Sequence, residues 1–206
     1  MCASSRPTTG AAGPVAAASP HAWDAEADEW LVGQAVAGSR FSGQAFEVLL
    51  RRHQDRIYRI ALRMTGSTAD AEDVAQDVAV QLWRMLATFT GSSTFSTWLY
   101  RIVVNRCLTH LRAQQVAGRR TEPLLESDHP RVVGPEKRVL DGARVDAAAA
   151  ALGGLPPEQR AALVLCQIEG LSYRDAAAAT GVTEAAIRSR LERGRRNFTA
   201  AMQEWA

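Results

Sequence analysis

At 206 residues, the chain is long enough for one ordinary domain or two small ones. Its composition, with 47% hydrophobic and 22% charged residues, is that of an ordinary soluble protein. A net charge of +2 is too small to indicate a polyanionic partner by itself, so an argument for nucleic-acid binding has to rest on where the arginines cluster.

Several classes of protein are excluded by what the sequence lacks. The cysteines, Cys2, Cys107 and Cys166, are far apart and lack metal-ligand spacing, which favours a reduced protein with incidental thiols. No apolar run approaches the roughly 20 residues that span a bilayer, and the N-terminus lacks the compact hydrophobic segment of a signal peptide. The sequence has no glycine-rich phosphate loop after a strand and no HExxH site, and its histidines are scattered. We therefore expect a cytoplasmic protein that is not an enzyme and needs no cofactor or metal.

The N-terminal part divides into a tail and two helices. Residues 1–22 contain almost no large apolar side chain, so we expect a disordered tail. A short helix is expected within Ala25–Val36, and a long helix runs from Gln44 to Met64 until Gly66 ends it. Pairing with neighbouring acids is slightly favoured over DNA contact for the outward arginines of the long helix. These are Arg51, Arg52, Arg56, Arg59 and Arg63.

The next helix is predicted to begin near Thr68, because Ser67 suits an N-cap with acids in the first turn. Apolar residues recur at helical spacing along one side of it. The opposite side carries Asp73, Gln76, Asp77 and Arg84. One face of this helix therefore belongs to the core, and the other is available to a partner.

A polar, glycine-containing loop, Thr90–Thr94, separates this helix from a second amphipathic helix. The second helix repeats the apolar pattern from Phe95 onward and interleaves possible donors to a polyanion. These donors are Asn105, Arg106, His110 and Arg112. Trp98 lies in the apolar stripe, which favours a core residue over a platform for stacking a base.

Helical periodicity fails between Ala113 and about Arg144, where glycines and prolines lie among mixed charges. About 30 residues without regular structure would be unusual inside a compact domain. We therefore predict an all-α fold of two small helical domains joined by a flexible linker. The N-terminal helical bundle is expected over residues 23–113, the linker over 114–144 and a C-terminal helix-turn-helix over 145–206.

The C-terminal segment carries the signals of a helix-turn-helix. Ser172 suits the cap of a short helix with Asp175 as its partner, Gly181 makes the turn, and Thr183 caps the last helix. The outward positions of the last helix hold five arginines: Arg188, Arg190, Arg193, Arg195 and Arg196. This cluster favours DNA recognition over a solvated surface, because the planar guanidinium can bond guanine or clamp phosphates.

Two groups of residues resemble one known family. The strings AEDVAQD and FTGSSTFSTWLYRIVVNR in the first half, with LP, EGLSYRDAA and IRSRLERGRR in the second, are similar to bacterial RNA polymerase sigma factors of the extracytoplasmic-function (ECF) type. The resemblance implies that the first amphipathic helix docks on the clamp of the beta-prime subunit of core RNA polymerase. It implies that the loop receives an unstacked base of the promoter's minus-ten element, and that the second helix lies along the DNA. An anti-sigma factor is a further implied partner.

The resemblance also implies which residues bind. Core-polymerase binding is expected at Asp73, Gln76 and Asp77. Minus-ten DNA binding is expected at Thr88, Phe89, Thr90, Gly91, Ser92, Ser93, Thr94, Asn105, Arg106 and Arg112. Minus-thirty-five DNA binding is expected at Thr183, Glu184, Arg188, Ser189, Arg190, Glu192, Arg193, Arg195 and Arg196.

Three residues depart from the family's pattern. Thr90 stands where many members have arginine, which removes one phosphate contact. Gly194 lies inside the recognition helix and is expected to weaken it by roughly 1 kcal/mol relative to alanine. Glu192 either reads cytosine or pairs with Arg188 one turn away, and we favour the pairing.

A stand-alone helix-turn-helix regulator is the alternative function. It would use the N-terminal helices as a sensing or dimerising module. This hypothesis accounts for the C-terminal half but leaves the acidic helix face, the polar loop and the long linker unexplained. Tight binding to duplex DNA without polymerase would favour it.

Overall fold

The computed structural model describes residues 23–118 and 136–204, and the regular elements in those ranges are all helical, as predicted. The expected tail lies outside the described residues, as does the middle of the expected linker. None of the described helices is both long and apolar enough to cross a bilayer. The α-helices are α1 (Asp28–Val36), α2 (Ser42–Thr65), α3 (Thr68–Met85), α4 (Phe95–Gly118), α5 (Glu136–Gly153), α6 (Pro157–Leu163), α7 (Tyr173–Thr180) and α8 (Glu184–Gln203).

Both ends of the predicted linker are helical, so its expected span of residues 114–144 was too long. Helix α4 continues to Gly118, and α5 already begins at Glu136. The prediction relied on an apolar repeat, but the last turns of α4 are exposed and need none. Alanine and glutamine at positions 113–115 are good helix formers, so the helix extends without a buried face.

The predicted helix caps are confirmed. The Ser67 hydroxyl accepts a hydrogen bond from the Asp70 backbone N–H at 3.3 Å, and the Ser172 hydroxyl accepts one from that of Asp175 at 3.1 Å. Gly66 ends α2 in the left-handed region with a φ of 78°. A residue with a side chain rarely adopts that conformation. Local chemistry therefore fixes where these helices begin and end.

The arginines of α2 are mostly paired, which confirms the favoured interpretation of that basic face. Arg51 bonds Asp24 at 2.6 Å, and Arg52 pairs with Asp28 at the start of α1. Arg56 and Arg63 both reach a single acid in the C-terminal half, Glu169. This face of α2 therefore holds neighbouring elements in place, α1 at one end and the second half of the chain at the other.

Gly194 allows two helices of the C-terminal half to pack closely. A Cβ atom at this position would lie 3.1 Å from the backbone oxygen of Gln159 in α6, which is tighter than nine in ten real Cβ contacts. The sequence-based expectation that this glycine only weakens α8 is therefore incomplete, because helix propensity is local and the contact with α6 is not.

Replacing Gly194 with alanine is expected to destabilise the protein by about 1 kcal/mol, although alanine is the better helix former. The new methyl group would push α6 away from α8. Urea denaturation followed by circular dichroism measures the change. Gly43→Ala is a matched control, because Gly43 is exposed in α2 and nothing lies within 4 Å of its added Cβ. A Gly194→Ala variant more stable than the native protein would contradict this account.

The two halves of the chain are packed against each other. Helix α7 lies on α4, and α6 contacts both α2 and α4, so the buried apolar residues form one continuous cluster. Arg160 of α6 is only 5% exposed. Its guanidinium donates to the backbone oxygens of Met64, Gly153 and Leu155, the last at 3.0 Å. Burial lowers the pKa of this guanidinium, and its Nε has no partner among the described residues.

A buried carboxylate forms the second polar contact between the halves. The Glu169 side chain is 8% exposed, and its oxygens accept hydrogen bonds from Arg63 at 3.0 Å and from the Tyr100 hydroxyl at 3.1 Å. Arg56 lies 3.5 Å from the same carboxylate. Burial and the negative charge of Glu169 raise the pKa of Tyr100 to about 12, with Arg56 acting in the opposite direction.

This pKa predicts a loss of stability at alkaline pH. The folded state favours the neutral phenol, so its contribution is complete below the ordinary pKa of 10.0 and is lost as the pH rises towards about 12. At pH 11 the free energy of unfolding should fall by about 1 kcal/mol from this group. Denaturation at pH 9 and pH 11 measures it. Tyr100→Phe should lose less stability over the same interval; an equal loss would assign the effect to other groups.

Candidate partner and nucleic-acid surfaces

The outward face of α3 carries the acids that the sequence singled out. Val74, Val78 and Leu82 are fully buried against the neighbouring helices, which leaves Asp73, Gln76 and Asp77 exposed on the other side. Asp77 has an internal partner, because its Oδ2 accepts a hydrogen bond from the Arg106 Nε at 3.0 Å. A residue expected to bind polymerase is thus paired with one expected to bind DNA.

Two large apolar side chains extend the same face and were missed by the sequence analysis. Val80 is 52% exposed and Trp83 is 49% exposed. Together with Asp73 and Gln76 they form a stripe along α3, at spacings of three, four and three residues. The Trp83 ring is held by an edge-on contact with Phe46 of α2 at 4.8 Å. The spacing of three, four and three residues is visible in the sequence and could have predicted that these side chains share a face. An exposed indole held in one position is typical of a surface that binds a partner.

The loop after α3 consists of an aromatic anchor and an exposed polar tip. The Phe89 ring packs on Phe95 at 5.7 Å and on Trp98 at 5.5 Å, so Phe89 holds the loop against the core. Most of the other candidate residues of the loop are exposed, and Ser93 is half-buried. The exposed ones are Thr88, Thr90, Gly91, Ser92 and Thr94.

Trp98 fits the core interpretation in part. Its indole is half-buried, packs against the apolar cluster and contacts both Phe89 and Phe95. Phe89, one of the two rings that Trp98 contacts, directly precedes the loop Thr90–Thr94. The rings of Phe89, Phe95 and Trp98 therefore pack between the loop and the core. Hydroxyl groups and a glycine form the exposed surface of the loop.

Helix α4 presents one continuous exposed face. Arg101, Asn105, Thr109 and Arg112 are exposed at successive helical turns, and Arg112 lies 3.3 Å from Glu158 of α6. Asn105 and Arg112 of this face were predicted from the sequence, whereas Arg101, one turn before Asn105, was not. The same i,i+4 spacing would have identified it.

The two other candidate residues of α4, Arg106 and His110, face α3 instead. Arg106 is half-buried beside Asp77, and the His110 ring lies 3.0 Å from Asp70. Burial alone would raise the pKa of Asp70, but hydrogen bonds from Gln114 and His110 hold it below its ordinary value. These contacts orient α4 on α3. The structure therefore separates Arg106 from the exposed face that carries Arg112.

The helix-turn-helix forms as predicted from α7 and α8. Buried Ala176, Ala177 and Ala179 allow α7 to pack closely, and Gly181 makes the turn with a φ of 69°. The Thr183 hydroxyl accepts a hydrogen bond from the Ala186 backbone N–H at 3.2 Å, so this candidate residue caps its own helix. Inside α8, Ile187 is fully buried.

The outward face of α8 combines arginines with a serine and a glutamate. Ser189, Glu192, Arg193 and Arg196 are exposed on one side of the helix, and Arg190 is half-buried. Arg188 and Arg195 are exposed on one flank. This face is available to a ligand over about three turns of helix.

The expected ion pair between Glu192 and Arg188 was wrong. Arg188 instead lies 3.6 Å from Glu184, one turn earlier, and its guanidinium sits 5.5 Å from the centre of the Tyr173 ring. A glutamate N-terminal to its arginine is the more favourable order along a helix, because each charge then opposes the helix dipole. Arg188 is thus positioned by residues of both helices of the motif.

The described residues show no cluster of metal ligands, and burial raises the pKa of both described thiols, Cys107 and Cys166. Within 23–118 and 136–204, no three His, Cys, Asp or Glu side chains come together as metal ligands. Cys107 is fully buried, and burial raises the pKa of its thiol to about 12. That thiol stays protonated at neutral pH.

Comparisons with known proteins connect these surfaces to one family. The model of Sigma-70 region 2 matches residues 49–116, which hold α3, the loop and most of α4. The model of Sigma-70 region 4 matches residues 146–198, which hold the helix-turn-helix. Each match therefore covers one of the two helical units described above.

Curated relatives align over most of this chain. The chain is 37% identical over 183 residues to the ECF RNA polymerase sigma factor SigE of Mycolicibacterium smegmatis, covering 85% of this chain and 69% of the relative. It is 32% identical over 189 residues to the RNA polymerase sigma-H factor of Pseudomonas aeruginosa, covering 86% and 95%.

Two solved structures share the fold. One is CnrH in complex with the cytosolic domain of CnrY, with a TM-score of 0.63, 28% identity and coverage of 88% of this chain and all of that one. The other is the sigma factor RpoE in complex with the anti-sigma factor NepR from Bartonella quintana, with a TM-score of 0.63, 25% identity and coverage of 77% and 96%. Because both family regions match in order and the curated relatives align over most of their length, the chain belongs to the ECF RNA polymerase sigma factors of the sigma-70 family.

Proposed function

We propose that this chain binds core RNA polymerase, directs it to specific promoters and helps to melt the minus-ten element. The observation that carries the proposal is the separation of three exposed surfaces on one chain. The first is the α3 stripe, defined as Asp73, Gln76, Val80 and Trp83; the second is the loop with the outer face of α4; the third is the outer face of α8. No covalent chemistry is required of any of them.

The α3 stripe fits a contact with the clamp of the beta-prime subunit. Its exposed acid and amide can bond basic and polar groups, while Val80 and Trp83 offer apolar area that water would otherwise cover. Asp77 lies beside this stripe with its charge partly matched by Arg106. We therefore assign the main polar contribution of this surface to Asp73 and Gln76.

The loop and α4 fit single-stranded DNA at the minus-ten element. Extruding a base costs a few kcal/mol of unstacking, which contacts to the base and the backbone can offset. Hydroxyl groups from Thr88 to Thr94 can bond the edges of such a base, and Asn105, Arg112 and Arg101 can contact the adjoining backbone. Phe89 acts by holding the loop in place rather than by touching DNA.

Helix α8 fits the major groove of the minus-thirty-five element. Arg188, Ser189 and Arg193 are exposed on the second helix of the motif, the position that meets base edges in helix-turn-helix proteins. Arg195 and Arg196 lie nearer the end of the helix, and we assign them to phosphates. Glu192 is exposed and is not the partner of Arg188, so it can accept a bond from cytosine N4.

Run-off transcription tests this proposal. Core polymerase is incubated with and without the chain on a pool of genomic promoter fragments, and the starts are mapped. We expect specific starts that core polymerase alone does not produce, with two shared upstream elements. Unchanged transcription, together with tight binding of the protein alone to duplex DNA, would instead favour the helix-turn-helix regulator.

An anti-sigma factor is the remaining proposed partner. It is supported by the similarity to RpoE, whose structure was solved with the anti-sigma factor NepR. Affinity purification of the tagged chain from its native cell, with and without stress, identifies such a partner if one binds. We expect one protein that is recovered before stress and released after it.

A further inference from the structure

Arg188 differs from the other arginines of α8 because two neighbouring side chains hold it. Its Nη2 atom lies 3.6 Å from the Oε2 atom of Glu184, and its guanidinium carbon lies 5.5 Å from the centre of the Tyr173 ring. Among the described residues, no other arginine of α8 has an ion pair or an aromatic ring against it. The Arg188 side chain is still 64% exposed, so it is held in place at the surface and remains open to a ligand.

Both neighbours are in turn fixed by helix caps. Tyr173 is the first residue of α7, and the Ser172 hydroxyl caps the first turn of that helix. Glu184 is the first residue of α8 and directly follows the Thr183 cap. The ring and the carboxylate therefore reach Arg188 from two different helices, each from a turn whose backbone is hydrogen-bonded.

This arrangement leaves most donors of Arg188 available to a base. A guanidinium carries five N–H donors, and Glu184 engages one of its nitrogens. An unrestrained arginine loses rotamer freedom when it binds a base edge, whereas an arginine that is already held loses less. The free edge of Arg188 can then bond O6 and N7 of guanine together, the pair of acceptors that matches its planar fork.

Glu184 also weakens the attraction of Arg188 to phosphate. Phosphates attract any exposed arginine regardless of the base sequence. The Glu184 carboxylate offsets part of the charge of Arg188 and is itself repelled by phosphate. Guanine O6 and N7 are neutral acceptors, so the acid disfavours the guanine contact less than the phosphate contact. Such a repulsive element raises specificity, because specificity is a difference between two affinities.

We propose that Tyr173 and Glu184 are positioning residues that hold Arg188 for guanine, and that they set the base specificity at one position of the minus-thirty-five element. The proposal rests on the proposed function, which assigns α8 to the major groove of that element. Tyr173 acts through its ring and Glu184 through its carboxylate, and neither has to touch the base.

Selection by the full chain from a pool of random duplexes of about 20 base pairs, followed by sequencing, tests the role of Tyr173. We expect the native chain to enrich a guanine that Arg188→Ala does not enrich. Tyr173→Leu should lower the preference for that guanine by about four-fold and change the affinity for duplexes without it by less than about two-fold. Tyr173→Phe keeps the ring and should retain the native preference. Circular dichroism verifies that each variant keeps its helix content.

The role of Glu184 predicts a change of opposite sign in non-specific binding. Glu184→Gln should raise the affinity for duplexes without the guanine by about three-fold, and the salt dependence of that affinity should steepen by about one counterion. The preference for guanine should therefore fall. Glu204→Gln is the matched control, because Glu204 is an exposed acid at the other end of α8. It should leave both affinities unchanged, and an equal effect of the two substitutions would overturn the role of Glu184.

A double-mutant cycle separates positioning by Tyr173 from a direct contact between Tyr173 and DNA. In an Arg188→Ala chain, adding Tyr173→Leu should change neither base preference nor affinity. A further loss in that chain, or a uniform loss of affinity in Tyr173→Phe, would show that Tyr173 binds DNA itself and would overturn the proposal. A native chain that enriches no guanine dependent on Arg188 would overturn it as well.

Nuclear magnetic resonance of the free chain tests the contact without DNA. The Tyr173 ring should shift the Nε–H signal of Arg188, and this shift should persist in Tyr173→Phe and disappear in Tyr173→Leu. A signal that Tyr173→Leu leaves unchanged would overturn the proposal. Neither this measurement nor the duplex selection involves polymerase, so their failure is distinct from a failure to initiate transcription, which would contradict the proposed function.

Discussion

Replacing Arg160 with methionine is expected to lower the free energy of unfolding by about 3 kcal/mol. Methionine fills a similar volume, but it leaves the backbone oxygens of Met64, Gly153 and Leu155 buried without a donor. Each orphaned oxygen costs about 1 kcal/mol or more, and part of the total is recovered because a charged group no longer has to be buried. Urea denaturation at neutral pH, followed by circular dichroism, measures the change.

Arg59→Met is the matched control for this experiment. Arg59 is an exposed arginine of α2, so its loss should change stability by less than about 0.5 kcal/mol. If Arg160→Met unfolds at the same urea concentration as the native protein, the three carbonyl contacts do not hold α6 to the end of α2 and to the turn after α5.

Reversing the charge of Asp73 should weaken binding to core polymerase by about 30-fold, equivalent to about 2 kcal/mol. Asp73 is the first residue of the α3 stripe and is exposed, so arginine can be accommodated there without disturbing the core. Binding is measured by fluorescence anisotropy of the labelled chain titrated with core polymerase, and run-off transcription should fall in parallel.

The choice of Asp73 over Asp77 makes this test specific. A change at Asp77 also releases Arg106, so a loss of activity there could reflect altered DNA binding or altered packing of α4. Asp55→Arg serves as the control, because Asp55 is an exposed acid on α2 outside the stripe. Equal affinity of the Asp73 and Asp55 variants for core polymerase would remove the α3 stripe from the proposed interface.

Local features of the sequence predicted local structure well. Ser67, Ser172 and Gly181 were identified as caps or turns because their chemistry acts on backbone groups within a few residues, and the structure confirms all three. The all-α class followed from the same helical periodicities. The linker was overestimated because an exposed helix needs no apolar repeat, so the end of α4 left no signal in the pattern.

Contacts between distant residues could not be predicted in this way. Arg106 was read as a DNA-binding residue because nothing in its neighbourhood indicates Asp77, which is 29 positions away in sequence. Gly194 was judged by helix propensity, whereas its role depends on the backbone of Gln159. Arg160 resembles a surface arginine in sequence and is buried at the junction of the two halves. The roles of these three residues depend on tertiary packing, and the local sequence pattern carries no information about residues that are distant in the chain.

The Asp77–Arg106 ion pair would couple a partner that contacts α3 at Asp77 to an anion that contacts α4 at Arg106, because each ligand has to displace the same internal contact. A protein partner that engages Asp77 releases the guanidinium of Arg106, and an anion that engages Arg106 releases the carboxylate of Asp77. By linkage, the factor by which the first ligand changes the affinity for the second must equal the reverse factor. Under the proposed function, the affinity for DNA at Arg106 would therefore differ between the free chain and the chain bound to a partner at Asp77 by the coupling free energy of this pair.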